Sequence, residues 1–233
     1  MRLDRRVLGF VVIRLTHVTL RRGGRDVVRD VSGTFAAGSL TAITGPNGAG
    51  KSTLLHAMCG LHPAAAGQIA SPRDIALLPQ EGQLDRAFPA SCLEVVALGA
   101  TARTGLFRHI GPNYIARAEA ALTAVGLTGL GRRPIGALSA GQFQRVLFAR
   151  TIVRDAPVIL LDEPFSAVDA ATEADLMAIV RAWHTEGRTV VAVLHDDALI
   201  RAAFPQTLVL SGRCLGWGPT QTVLGRRSLE EAA

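Results

Sequence analysis

The stretch LTAITGPNGAGKST, Leu40 to Thr53, decides the fold. Its first five residues form a short apolar run. The remainder, GPNGAGKST from Gly45 to Thr53, fits the pattern G-x-x-x-x-G-K-[ST], and a helical pattern from Lys51 to Cys59 follows. Strand, glycine loop and helix in that order suit one chemistry. Glycines let backbone N–H groups turn inward around phosphate oxygens, and the helix N-terminus adds positive potential. Gly45, Pro46, Asn47, Gly48, Ala49, Gly50, Lys51, Ser52 and Thr53 are the candidate phosphate cradle. Lys51 would place its ammonium on the β- and γ-phosphates of a nucleotide, and Ser52 would offer a hydroxyl to Mg²⁺. The competing reading is a glycine-rich turn, which the complete motif in this context disfavours.

Working outward, short apolar runs at Val11 to Leu20, Ile75 to Leu78, Val158 to Leu161, Thr189 to Leu194 and Thr207 to Leu210 read as further strands. The last four are nearly continuous in Val, Ile, Leu and Ala, as in strands covered on both faces of a parallel sheet. A helical pattern at Thr172 to Trp183 alternates with them, which predicts an α/β fold. The segment from about Leu84 to Arg154 lacks a convincing strand. It contains helical patterns at Ser91 to Leu98, Pro112 to Val125 and from near Gly141, and reads as a helical subdomain inserted between two strands.

The strand VILLDEP, Val158 to Pro164, ends in two carboxylates. Asp162 would hold Mg²⁺ through water, and Glu163 would accept a proton from the attacking water or orient it. Gln80 follows the strand IALLP and His195 follows TVVAVL. In an open α/β sheet, ligands sit beyond the carboxyl ends of the strands. Lys51, Gln80, Glu163 and His195 are therefore expected at one edge.

Composition sets bounds. The chain has 233 residues, 48% hydrophobic, enough for one globular domain with a subdomain. The net charge of +6 comes mostly from scattered arginines, without an aromatic-interleaved basic stripe, so no nucleic-acid partner is expected. Cys59, Cys92 and Cys214 are far apart and lack C-x-x-C spacing. They read as buried thiols of a reducing compartment. No apolar run approaches the roughly 20 residues that span a bilayer, so any membrane role is expected to come through a partner.

LSAGQFQRV, Leu138 to Val146, has two readings. One is an N-cap and tight turn, with Ser139 as cap and Phe143, Val146 and Leu147 at helical spacing. The other follows from a resemblance. The chain resembles the nucleotide-binding subunits of ABC transporters over nearly its whole length. GPNGAGKST matches the family's Walker A motif, Gln80 its Q-loop, LSAGQ its signature, VILLDEP its Walker B, SAVD (Ser166 to Asp169) its D-loop and His195 its switch histidine. Order and spacing also match.

The resemblance implies a P-loop ATPase core with a mostly parallel sheet, an N-terminal antiparallel β portion and an inserted α-helical subdomain. It divides the chain into core residues 1–83, a helical subdomain at 84–154, core residues 155–224 and a tail at 225–233. That tail reads as frayed, and no regulatory domain is expected after Leu224. The resemblance further implies ATP and Mg²⁺ as ligands, with Gln80 on the Mg²⁺ side of the site and counted with Glu163 and His195 in catalysis. It implies a homodimer with ATP sandwiched, in which Ser139, Ala140, Gly141, Gln142 and Asp169 of one copy touch the nucleotide held by the other. It also implies integral-membrane permease subunits, a solute-binding protein beyond them, and residence on the cytoplasmic face of the inner membrane. Ala140 stands where the family's commonest signature has glycine. VTLRRGG lacks the family's adenine-stacking aromatic, a role Arg21 or Arg22 could fill with a flat guanidinium.

LLPQEGQLDRAFPASCLEVVALG, TGLF, LLDEPFSAVDAATEADL and LSGRCLGWGPTQTVL are most similar to ATPases of zinc/manganese uptake. The expected cargo is zinc, then manganese or iron. Phe88, Leu106 and Phe107 are either a permease contact or ordinary subdomain core. The rival function is a soluble ABC-type ATPase acting on DNA or the ribosome, disfavoured by the single cassette. A P-loop kinase would have no use for LSAGQ.

Overall fold

The computed structural model describes residues 13–80, 86–100, 112–166 and 168–231. Val11, Leu106 and Phe107, which carry expectations above, lie outside them. The chain divides into two compact bodies. The first comprises the residues up to Ile75, Pro157–Glu163 and those from Trp183 onward; the second comprises Ala76–Ala156 and Pro164–Ala182.

The first body begins with β1 (Ile13–Arg22), β2 (Arg25–Phe35), β3 (Leu40–Thr44), α1 (Lys51–Met58) and β4 (Ala66–Ala70). β2, β1 and β4 form an antiparallel sheet in that order. β5 (Ile75–Leu78) carries the chain into the second body. Its later returns supply β6 (Val158–Asp162), β7 (Thr189–Val193), β8 (Gln206–Leu210) and β9 (Cys214–Pro219). Five strands of this body run in the order β6-β7-β3-β8-β9. The first four are parallel and β9 is antiparallel to β8. Every residue of β3, β6 and β7 is buried. These runs need no alternation because both faces are covered.

The second body is helical: α2 (Cys92–Ala97), α3 (Pro112–Ala124), α4 (Ala140–Arg154) and most of α5 (Ala170–Thr185). Side chains fix their starts. Ser91 and Glu94 form a capping box on α2, and Ser139 and Gln142 form one on α4. Each box satisfies N–H groups that a helix leaves unpaired. Phe143, Val146, Leu147 and Phe148 of α4 are all buried.

Two expectations need correction. The residues after Leu224 are not frayed: α7 (Thr220–Glu231) runs through them. Thr220 Oγ1 donates to the Phe204 carbonyl at 2.5 Å, Arg201 donates to the Leu224 carbonyl at 3.0 Å, and Leu224 is buried. A shorter helix, α6 (Asp197–Ala203), precedes it, capped by the Asp196 carboxylate. The thiols also differ from expectation. All three are free, but only Cys92 is buried. Cys59 sits at the C-cap of α1 and Cys214 opens β9, positions at element ends that leave each half-buried. Burial pushes the Cys59 thiol up to about 11, so it is poorly ionised at neutral pH.

Candidate nucleotide site

The glycine loop leaves β3 and enters α1 in the first body. Its backbone requires glycine. Gly45, Gly48 and Gly50 have φ of 142°, 78° and 92°, a region that L side chains rarely adopt. The loop is also wedged. A Cβ on Gly45 would lie 1.9 Å from the Leu210 carbonyl oxygen, and one on Gly50 would lie 2.7 Å from that of Val27. Gly212, in the turn between β8 and β9, donates its N–H to the Ala49 carbonyl at 3.3 Å and accepts from Arg29 N–H at 2.7 Å. That turn braces the loop from behind. No side chain caps α1, whose first turn holds no acid.

Lys51 is buried and points into this loop. Its Nζ donates to the carbonyls of Gly45 at 2.8 Å and Pro46 at 2.9 Å. Burial lowers its pKa, against the opposing pull of Glu163 and Asp162. Ser52 Oγ donates to Asp162 Oδ1 at 2.9 Å. Asp162 ends β6 and is fully buried. Its Oδ2 has no hydrogen-bond partner, and burial raises its pKa despite the Ser52 bond. A buried carboxylate oxygen without a donor is costly. Beside a serine hydroxyl, it fits a hard divalent cation that takes oxygen ligands. Among the described residues no group of three or more His, Cys, Asp or Glu could hold a metal by itself.

Glu163 follows directly. His195, just past β7, donates from Nε2 to Glu163 Oε1 at 2.9 Å. Glu163 has φ of 50°, a left-handed conformation for a residue with a long side chain. Such backbone strain costs on the order of 1–3 kcal/mol and persists where the surroundings impose it. β3, β6 and β7 thus deliver Lys51, Ser52, Asp162, Glu163 and His195 at the carboxyl ends of neighbouring parallel strands.

The remaining candidates lie in the second body. Gln80 is half-buried two residues past β5. Ser139, Ala140, Gly141 and Gln142 open α4. Ser139 Oγ accepts from Gln142 N–H at 3.2 Å, and Gln142 Oε1 accepts from Ser139 N–H at 3.1 Å, so the capping reading of LSAGQ describes this chain's own geometry. Asp169 caps α5, accepting from Thr172 N–H at 2.9 Å, a bond that holds its pKa low. Phe88 is exposed at 64%, which places it on the surface rather than in the subdomain core. Of the two arginines offered for base stacking, Arg21 is engaged by Asp26 at 2.8 Å; Arg22 is exposed.

Sequence reasoning did not find the strained Glu163, the bracing turn at Gly212, or Gln144. The last carried a signal: a glutamine on the stripe between Phe143 and Leu147, where apolar residues are expected.

Residues 28–166 match the family model described as ABC transporter. The chain belongs to the ABC transporter family. It is an ATP-binding, ATP-hydrolysing member. It is 37% identical over 227 residues to the manganese transport system ATP-binding protein MntB of Bacillus subtilis, covering 94% of this chain and 91% of that one. It is 34% identical over 228 residues to the zinc transport system ATP-binding protein TroB of Treponema pallidum, covering 94% and 86%. Among solved structures, the ABC fold superposes on a transporter assigned to the metal-chelate type in an inward-facing conformation. The TM-score is 0.82 at 28% identity, over 92% of this chain and 85% of that one. The dimeric ABC transporter cassette MJ0796 gives 0.78 at 26% identity, over 89% and 98%. Among the described residues, no helix of this ABC ATPase is long and apolar enough to cross a membrane.

Proposed function

We propose that this ABC ATPase energises uptake of a divalent metal ion, zinc first and manganese or iron next, through a separate membrane permease. It would work on the cytoplasmic face of the inner membrane as a homodimer, with a solute-binding protein delivering the ion on the far side. The observation that carries the chemistry is the Glu163–His195 hydrogen bond beside the Ser52–Asp162 pair. The cargo reading rests on likeness to manganese and zinc system subunits.

In the proposed mechanism, Lys51 exchanges its two neutral carbonyl partners for the β- and γ-phosphates of ATP, a charge-assisted contact. The loop N–H groups and the α1 N-terminus take the remaining phosphate charge. Ser52 and Asp162, with Gln80, would hold Mg²⁺, which when bound offsets charge on the phosphate oxygens. His195 orients the Glu163 carboxylate. Glu163 takes a proton from water as the water oxygen attacks the γ-phosphorus and the bond to the ADP oxygen breaks. ADP and phosphate are the products. Ser139, Ala140, Gly141, Gln142 and Asp169 of a second copy would close the site, so that ATP joins two chains and its hydrolysis releases them. The small side chains at 140 and 141 leave room for a triphosphate to approach the helix backbone.

The test is uptake of radiolabelled zinc and manganese by cells lacking the gene and complemented with wild type or Lys51→Ala. Wild type should restore uptake of one metal and the variant should not. Restoration of neither metal, nor of labelled iron in the same cells, would refute the cargo.

A further inference from the structure

Helix α4 carries a residue that its position does not explain. Gln144 is fully buried, between Phe143 and the apolar run from Val146 to Ala149. Its Nε2 donates to the Pro164 carbonyl at 2.8 Å, and its Oε1 has no hydrogen-bond partner. A half-satisfied buried amide is a poor way to fill a core, since its unpaired oxygen is desolvated without compensation. The bond that is made falls on the carbonyl of the residue that follows Glu163. The next helix residue reaches the other end of the same segment. Arg145 donates from Nη1 to the Val125 carbonyl at 3.1 Å and from Nη2 to Thr172 Oγ1. Thr172 in turn donates from its hydroxyl to Asp169 Oδ2 at 2.9 Å. A third point lies between them: Phe148 stacks on Phe165 with ring centroids 6.3 Å apart. All these residues belong to the second body.

We propose that Gln144 and Arg145 are positioning residues of the hydrolysis step. From one helix they hold the Pro164 carbonyl, next to Glu163 in the chain, and Thr172, and through Thr172 the carboxylate of Asp169. The left-handed backbone at Glu163 needs such a hold, because strain of that kind relaxes when its neighbours are free. The same helix begins with Ser139 to Gln142, so whatever engages its N-terminus also bears on the segment carrying Asp169. The inference rests on the nucleotide-site reading above and adds to it how the LSAGQ helix and the catalytic segment are joined.

The test compares Gln144→Met, which keeps length and volume but loses the donor, with Arg145→Gln, Glu163→Gln and wild type. Steady-state ATP turnover, nucleotide binding and thermal midpoint are measured on the full chain. The expected result is a kcat lower by on the order of tenfold to a hundredfold, with KM and nucleotide binding unchanged. A purely structural role would lower the thermal midpoint and leave kcat alone. Should Gln144→Met fail to fold, Arg145→Gln carries the test, and wild-type kcat in either folded variant overturns the proposal. Full turnover in Glu163→Gln would instead sink the nucleotide-site reading itself; a dead Glu163→Gln beside a fully active Gln144→Met removes only the inference drawn here.

Discussion

Substituting Gly45 by alanine adds one methyl group, and the structure sets its consequence. The new Cβ would lie 1.9 Å from the Leu210 carbonyl oxygen and 2.9 Å from its carbonyl carbon. Real Cβ atoms do not approach closer than 3.0 Å, so one backbone must withdraw by 3.0 minus 1.9, or 1.1 Å. Leu210 ends β8, which is hydrogen-bonded on both sides and fully buried there. The glycine loop is the softer partner and should move. Alanine at φ of 142° adds backbone strain of about 1–3 kcal/mol. Displacing aligned donors by about 1 Å costs on the order of a hundredfold in kcat/KM. The assay is initial-rate phosphate release against ATP concentration, paired with fluorescent-nucleotide titration and circular dichroism to confirm the fold. A folded Gly45→Ala with wild-type kcat/KM would show that the wedge against Leu210 does not set the loop.

Three further outcomes follow from the site. Lys51→Ala removes the ammonium proposed to meet the β- and γ-phosphates; charged hydrogen bonds are worth about 1.5–3 kcal/mol each, so nucleotide affinity should drop at least tenfold in the same titration. Burial holds the Asp162 carboxyl above the ordinary carboxylate range, so the folded state binds that proton more tightly than the unfolded chain does. The site therefore loses stability as pH rises from the unfolded value to the raised one, and the loss persists above it. Asp162→Asn should accordingly raise the thermal midpoint at neutral pH, leave it unchanged under acid conditions below both values, and abolish Mg²⁺-dependent turnover. Ser139→Ala loses a helix cap worth about 1 kcal/mol; urea unfolding should show that modest loss, while turnover should fall much further if a second copy's nucleotide also meets Ser139.

The sequence revealed strands that form uninterrupted, mostly apolar runs. Leu40–Thr44 and Ile75–Leu78 have the bounds read from their apolar runs. β2, β4 and β9 were invisible because polar residues or glycines interrupt them: β2 is RDVVRDVSGTF, β4 has only Ile69 half-buried, and β9 is CLGWGP, with glycines where strand formers are expected. α7 was hidden by Gly225 beside Arg226 and Arg227, which read as fraying; its anchor is Thr220, paired with Thr207 across the chain. At the site, residue types announced themselves by motif, whereas their constraints did not. The φ of Glu163, the carbonyl of Leu210 beneath Gly45 and the bond from Gln144 to Pro164 all depend on distant backbone, which no local pattern encodes.

The most direct measurement is the mass in solution of Glu163→Gln with saturating Mg-ATP, by light scattering after size exclusion. The account predicts twice the chain mass with ATP, collapsing to a single chain when ATP is replaced by ADP or when Ser139 is also changed to arginine. A single-chain mass under all three conditions would contradict it.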